Sequence, residues 1–195
     1  MEWEQGASDE LSKAEEMLKN IEIGVEAILK NLGEDTRREG LVGTPLRVAR
    51  MYSDMMYPEP FVFTTFDAEG MSEMIIQTDI PMYSFCEHHM LPFFGTVTVG
   101  YIPKGRIAGL SKLARAVKYC ASGFQNQERI TKAVATELEE NLAPEGVGVV
   151  IKARHLCMEM RGAQMPGVMT TTSELRGAMM DKPEVRAEFL SLARQ

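Results

Sequence analysis

Ser84-Phe85-Cys86-Glu87-His88-His89-Met90-Leu91-Pro92 lies between two stretches with the marks of β-strands, residues 74–84 and 95–101. Gly95-Thr96-Val97-Thr98-Val99-Gly100-Tyr101 alternates at period two, as a half-buried antiparallel strand does. The quoted stretch therefore joins strand to strand, and the rest of the fold is read outward from it. It also holds two of the chain's three histidines and one of its three cysteines. The remaining histidine sits in His155-Leu156-Cys157, again beside a cysteine.

Upstream, Leu11, Ala14, Leu18, Ile21, Val25, Ile28 and Leu32 recur at gaps of three and four, one face of a long helix that Gly33 ends. Thr44-Pro45 predicts a second helix to about residue 57, with threonine as N-cap and proline first in the helix. Residues 61–70 read as loop.

Downstream, a turn at Pro103-Lys104-Gly105 leads to a helix capped by Ser111, with apolar positions Leu113, Ala114, Val117, Cys120 and Ala121, interrupted near Gly123. A further helix covers about 126–142 and stops before Pro144. A strand from about 146 to 160 carries His155 and Cys157, and Asp181-Lys182-Pro183-Glu184 predicts a capping box for a last helix. Strands in pairs around a helical hairpin give an α+β fold with an antiparallel sheet. An N-terminal helical region, 1–60, precedes a single unit of strands and helices, 61–195, with no linker between separate domains.

Composition is that of an ordinary globular protein, 45% hydrophobic and 25% charged. A net charge of −7 argues against a nucleic-acid scaffold, which shows a basic face, but allows a small anionic ligand held by local cations. The apolar run Val147-Gly148-Val149-Val150-Ile151 is too short to span a bilayer, and Met1-Glu2-Trp3-Glu4-Gln5 lacks the order of a signal peptide. Three cysteines cannot all pair. They read as reduced thiols of a cytoplasmic chain.

Cys86 and His89 stand at a spacing that lets a tight turn aim both at one ion, and His155 and Cys157, two apart on a strand, share a face. Cys86, His89 and Cys157 make a three-ligand set for Zn²⁺, the count of catalytic sites that keep a fourth position for water. His88 and His155 are then free to move protons. A Cys-x-x-His alone is a weak signal, and buried cysteines usually just pack. The grouping of every histidine with a cysteine strengthens the metal reading.

Ser111, Lys112 and Arg115 gather at one helix start, a natural anion site whose plain alternative is a solvated face. Glu128 opens the next helix and could complement its dipole or pair with a guanine edge. Arg161 shares strand parity with His155 and Cys157. Arg47 and Arg50 offer two cations one helical turn apart.

Cys86-Glu87-His88-His89, Gly109-Leu110-Ser111-Lys112-Leu113-Ala114-Arg115, Gln125-Asn126-Gln127-Glu128-Arg129 and His155-Leu156-Cys157-Met158-Glu159-Met160-Arg161-Gly162 together resemble GTP cyclohydrolase I in order and spacing. The resemblance implies a tunnelling fold with N-terminal helices and a homodecamer of two stacked pentamers with active sites between subunits. It also implies conversion of GTP and water to 7,8-dihydroneopterin triphosphate and formate. In its terms Cys86, His89 and Cys157 bind zinc, His88 and His155 are the acid–base pair, Glu128 grips guanine, and Gln127 sits beside it. Ser111, grouped with the catalytic residues, faces the triphosphate and ribose with Lys112, Arg115 and Arg161, while Arg47 and Arg50 join from a neighbouring subunit. Nucleic acid and membrane are not expected partners. Ala163-Gln164-Met165-Pro166-Gly167-Val168-Met169 departs from the family pattern, with Val168 where a serine is usual. That departure leaves room for a relative releasing a different intermediate, and a third reading is a silent nucleotide-binding assembly protein.

Overall fold

The structure, a computed structural model, describes residues 2–194, with side chains from residue 13 onward. Leu11 of the predicted helix face lies outside the described side chains. The chain divides into two compact units, Met1–Tyr57 and Pro58–Gln195.

In the first unit α1 (Glu2–Asn31) and α2 (Thr44–Met56) pack on one another. Leu18, Ile21 and Val25 are half-buried as the periodicity predicts, whereas Ala14, Ile28 and Leu32 are exposed. Gly33 follows α1 at φ +86°, a conformation that costs glycine no Cβ clash. The cap of α2 is Gly43 and not Thr44, whose hydroxyl donates to the Gly40 carbonyl at 3.3 Å. Pro45 still falls in the first turn, where its missing N–H leaves no bond unmade.

The second unit runs β1 (Thr65–Asp67), β2 (Ile75–Cys86), β3 (Pro92–Ile102), β4 (Arg106–Ala108), α3 (Leu110–Cys120), β5 (Phe124–Gln125) and α4 (Gln127–Leu142). It continues with β6 (Gly146–His155), α5 (Leu156–Glu159), β7 (Thr170–Gly177), α6 (Ala178–Asp181) and α7 (Pro183–Leu192). Its main sheet has the order β5-β2-β3-β6-β7, and β1 pairs with β4 in a small ribbon where loop was expected. The pairs β2–β3, β3–β6 and β6–β7 are antiparallel, as the α+β reading requires. The short β5 departs from it by running parallel to β2, with Phe85 opposite Phe124 and Cys86 opposite Gln125.

One sheet face packs on α3 and α4. Val97, Val99, Tyr101, Val147, Val149 and Ile151 meet Leu113, Val117, Ile130, Val134 and Leu138 in a fully buried core. At about 25 cal/mol per Å² of apolar surface, this face is the main favourable term of the unit. On the other face Val150 joins Met179 and Phe189 of α6 and α7. Gly95 lets β3 and β6 close up, since a Cβ there would collide with the Lys152 carbonyl.

Three further expectations are corrected. The N-cap of α3 is Gly109 and not Ser111, because the Gly109 carbonyl already accepts Lys112 N–H at 2.7 Å. Asp181 ends α6, and Lys182 caps α7 without a side-chain bond, so there is no capping box. The strand carrying His155 stops there instead of running to Met160. Strand β7 had no counterpart in the sequence reading.

Candidate active site

The β2–β3 turn is shaped by one carbonyl. Cys86 O accepts from His89 N–H at 3.3 Å and from Met90 N–H at 2.9 Å, and Met90 turns left-handed at φ 55° to return the chain to Leu91. The left-handed region costs a side-chain-bearing residue roughly 1–2 kcal/mol, so the sheet on either side must hold the turn closed. The turn brings Cys86 Sγ to 3.7 Å from His88 Nδ1 and 3.8 Å from His89 Nδ1.

Cys157 arrives by a route other than the one its strand parity predicted. At His155 the backbone leaves β6 and enters α5, so Cys157 lies in a helical turn. Arg154 fixes that turn through Glu159, with bonds of 2.8 and 2.6 Å. Ligand atoms of Cys86, His89 and Cys157 all come within 4.8 Å of one another. A tetrahedral ion with Zn–S of about 2.3 Å and Zn–N of about 2.0 Å needs donors roughly 3.5–3.8 Å apart, so the donor set fits with a small contraction. Burial, and then the neighbouring Cys86 thiol, push the Cys157 thiol above its ordinary range. A cation between the two sulfurs favours the charged form that this crowding opposes. Cys120 is a plain contrast, half-buried on α3 and pushed up to about 12 by burial and by Glu137.

Beside this cluster a cleft of about 250 Å³ is lined by Cys86, His88, Gln127, Glu128, His155 and Cys157, among others. The parallel pairing of β5 with β2 sets the N-terminus of α4 against the Cys-His turn, and Glu87 N–H donates to Gln125 O at 3.0 Å. Glu87 reinforces the junction, accepting from Asn126 Nδ2 at 2.9 Å and from Arg129 Nη2 at 2.8 Å. Those two partners hold its carboxyl below the ordinary range. Asn126 also caps α4, accepting from Arg129 N–H at 2.8 Å.

His155 stacks flat on Phe93, its cross-strand partner, with ring centres 4.6 Å apart and planes 3° from parallel. Burial lowers its pKa, while the Glu128 carboxylate pulls the other way. Gln127, the first residue of α4, is 1% exposed and places Oε1 2.9 Å from His155 Nε2. Arg161 reaches the cluster after α5, with Nη1 2.7 Å from His89 Nε2.

The structure thus gathers Cys86, His88, His89, Gln127, Glu128, His155, Cys157 and Arg161. It does not bring Ser111, Lys112 or Arg115 to them. The C-terminal end of α3 adjoins the site, where Ala121 O accepts from Ser84 Oγ at 2.6 Å. At 1.5 Å per residue, Ser111 lies about 15 Å away along that helix. Arg115 lines a different depression of about 230 Å³ with Glu59, Phe61, Lys118 and Tyr119. Arg47 and Arg50 are exposed on α2 in the first unit, Arg47 bonded to Thr44 Oγ1 at 2.8 Å. Phe93 draws no attention in the sequence, and Glu87, Asn126 and Arg129 fall inside quoted motifs without being given a role of their own. Asn126 stands at the start of the predicted helix, where the structure makes it the cap, but its bond to Glu87 spans the fold.

Two thiols and an imidazole able to hold one cation, beside a cleft with two further histidines and a carboxylate, have the makeup of a metal-assisted hydrolase. The chain matches the GTP cyclohydrolase I family over residues 21–194, and it belongs to that family. It is 48% identical over 173 residues to the GTP cyclohydrolase 1 of Hydrogenobaculum sp. strain Y04AAS1, covering 88% of this chain and 95% of that one. For the Aquifex aeolicus protein of the same name the values are 48%, 90% and 96%, and for that of Geobacillus sp. strain WCH70 49%, 89% and 95%. Among solved structures, the archaeosine synthase QueF-Like in the apo form aligns with 53% of this chain and 93% of its own, at 16% identity and a TM-score of 0.45. That likeness is too loose to define the fold. No helix among the described residues is long and apolar enough to cross a membrane.

Proposed function

We propose that the cleft between the Cys-His turn and α4 carries out the family's reaction, hydrolysis of GTP to 7,8-dihydroneopterin triphosphate and formate. The observation that supports this most is the convergence of Cys86, His89 and Cys157 on one point at the edge of a cleft that also holds His88, His155 and Glu128. Cys86, His89 and Cys157 would hold Zn²⁺, which supplies a water of lowered pKa near neutral pH. Glu128 accepts two hydrogen bonds from the guanine ring N–H and exocyclic amine, the bidentate pairing a carboxylate favours. His88 and His155 carry protons to and from the imidazole ring of the base as water adds at carbon 8 and the ring opens. A second water releases formate. The ribose rearranges to a ketone, and closure on the freed amine expels one water, so net consumption is one water per GTP.

Arg161 stands close enough to the cluster to meet the ribose or triphosphate. Ser111, Lys112 and Arg115, remote within one copy, serve the triphosphate of a second copy's cleft, with Arg47 and Arg50 joining from a neighbour. Such a site needs at least two copies in contact, and the proposed assembly is a closed ring of subunits in the tunnelling fold, with two pentamers stacked. Purified protein incubated with GTP is expected to release formate and a fluorescent pterin in equal amounts. A formamidopyrimidine accumulating in place of the pterin would overturn the full reaction.

The shared site has its own test. Lys112→Ala and Cys157→Ser chains, each inactive alone, are expected to regain about a quarter of wild-type activity when co-expressed, because random mixing leaves that fraction of sites with both contributing copies intact. No recovery in mixed assemblies would show that each chain works with its own Lys112.

A further inference from the structure

We infer that Gln127 is a positioning residue that holds His155 in the tautomer protonated at Nε2, so that His155 exchanges protons with substrate through Nδ1. This rests on GTP cyclohydrolysis being the reaction of the cleft, and it adds the atom at which the proton moves.

The assignment follows from counting donors. One end of the Gln127 side-chain amide lies 3.1 Å from Ile151 O, 3.1 Å from Thr170 O and 3.0 Å from Thr172 Oγ1. Carbonyl oxygens only accept, so that end must be the NH₂. An amide turned the other way would set oxygen against two carbonyl oxygens with no proton between them, in a place 1% exposed.

The hydroxyls agree with this orientation. Thr131 Oγ1 donates to Gln127 O at 2.7 Å, which spends its only proton. The 2.6 Å contact between Thr131 and Thr172 must then carry the Thr172 proton. Thr172 Oγ1 is left to accept from Gln127 Nε2. The two amide hydrogens thus face three acceptors, one hydrogen being shared between two of them, and none is left without an acceptor. Gln127 Oε1 therefore faces His155 Nε2, 2.9 Å away, as an acceptor, and Nε2 must carry the proton. A neutral imidazole with a proton on Nε2 has its lone pair on Nδ1. Phe93 stacked on the ring fixes its plane, and Gln127 fixes its rotation within that plane. A proton taken by His155 is thus taken at Nδ1, giving the imidazolium, and is returned from the same atom.

The experiment is solid-state ¹⁵N NMR of the metal-loaded protein labelled only in histidine, which the count of three residues makes tractable. The His155 ring is assigned by its disappearance in His155→Phe. The wild type is expected to show protonated Nε2 and bare Nδ1 at His155, and the reverse pattern would overturn the inference whatever any variant does. Gln127→Met, similar in size but unable to accept, is expected to give mixed tautomers. Its kcat for formate release should fall about tenfold to a hundredfold while KM moves less than about threefold. An unchanged kcat, or a change confined to KM, would instead make Gln127 a contact to guanine and sink the idea. If wild-type protein released no formate from GTP, the proposed reaction would fail while the spectrum still reported the tautomer, so the two failures are distinguishable.

Discussion

Cys157→Ser is expected to lose bound metal and with it formate release from GTP, by on the order of 10³-fold or more, while the chain still folds. A serine hydroxyl stays protonated where a thiolate would bind, so two ligands remain of three, and a site with two ligands does not retain a divalent ion through purification. The fold should survive because Cys157 lies on α5, a turn held by the Arg154–Glu159 pair and only half-buried. Sulfur to oxygen is also a small change in volume. Elemental analysis beside the formate assay and circular dichroism separates the possibilities. Near-normal turnover with no metal present would remove the proposed source of the nucleophile. Full metal content with no turnover would mean that Cys157 is not a ligand. Cys120→Ala, away from the cluster, should keep both metal and turnover and so controls for loss of a thiol as such.

The parts legible in the sequence were those whose signal is local. Helix α3 announced itself through Leu113, Val117 and Cys120, and β3 through its alternation, because each buries one face on a single core. Strand β7 was not legible. Thr170-Thr171-Thr172-Ser173-Glu174 offers no apolar alternation, and the strand exists because β6 presents it a free edge. The end of β6 was misjudged for a related reason. Nothing in His155-Leu156-Cys157-Met158 marks a change from strand to helix, and the turn depends on an ion pair that closes only once both residues are in place.

The same division runs through the site. Cys86, His89 and Cys157 stood out because histidine and cysteine are scarce here and fall together. Gln127 could be placed beside the base only by resemblance. Its bond to His155 needs the carbonyls of Ile151 and Thr170 and the hydroxyl of Thr172, and two of those three partners belong to the strand that sequence did not reveal. One miss entailed the other. Ser111, Lys112 and Arg115 show a different limit, since they share α3 as expected but lie, within one chain, apart from the Cys86, His89 and Cys157 group.

His155→Phe isolates proton transfer from metal binding. Phenylalanine preserves the flat stack on Phe93 and removes both ring nitrogens, so the ring's place is kept while its acid–base function goes. The expected result is a kcat lower by about 10²–10⁴-fold, the usual worth of a positioned general acid or base, with metal content unchanged. A structural cost accompanies it. Gln127 Oε1 loses its partner in a buried place, and an unsatisfied buried acceptor costs about 1–3 kcal/mol, which thermal unfolding would register as a lowered Tm. Cys157→Ser and His155→Phe should therefore both be nearly inactive yet differ in elemental analysis, one metal-free and one loaded. A His155→Phe protein turning over GTP within about threefold of wild type would assign the proton traffic to His88 alone. One that had lost its metal would show that the ring orders the cluster instead of serving the substrate.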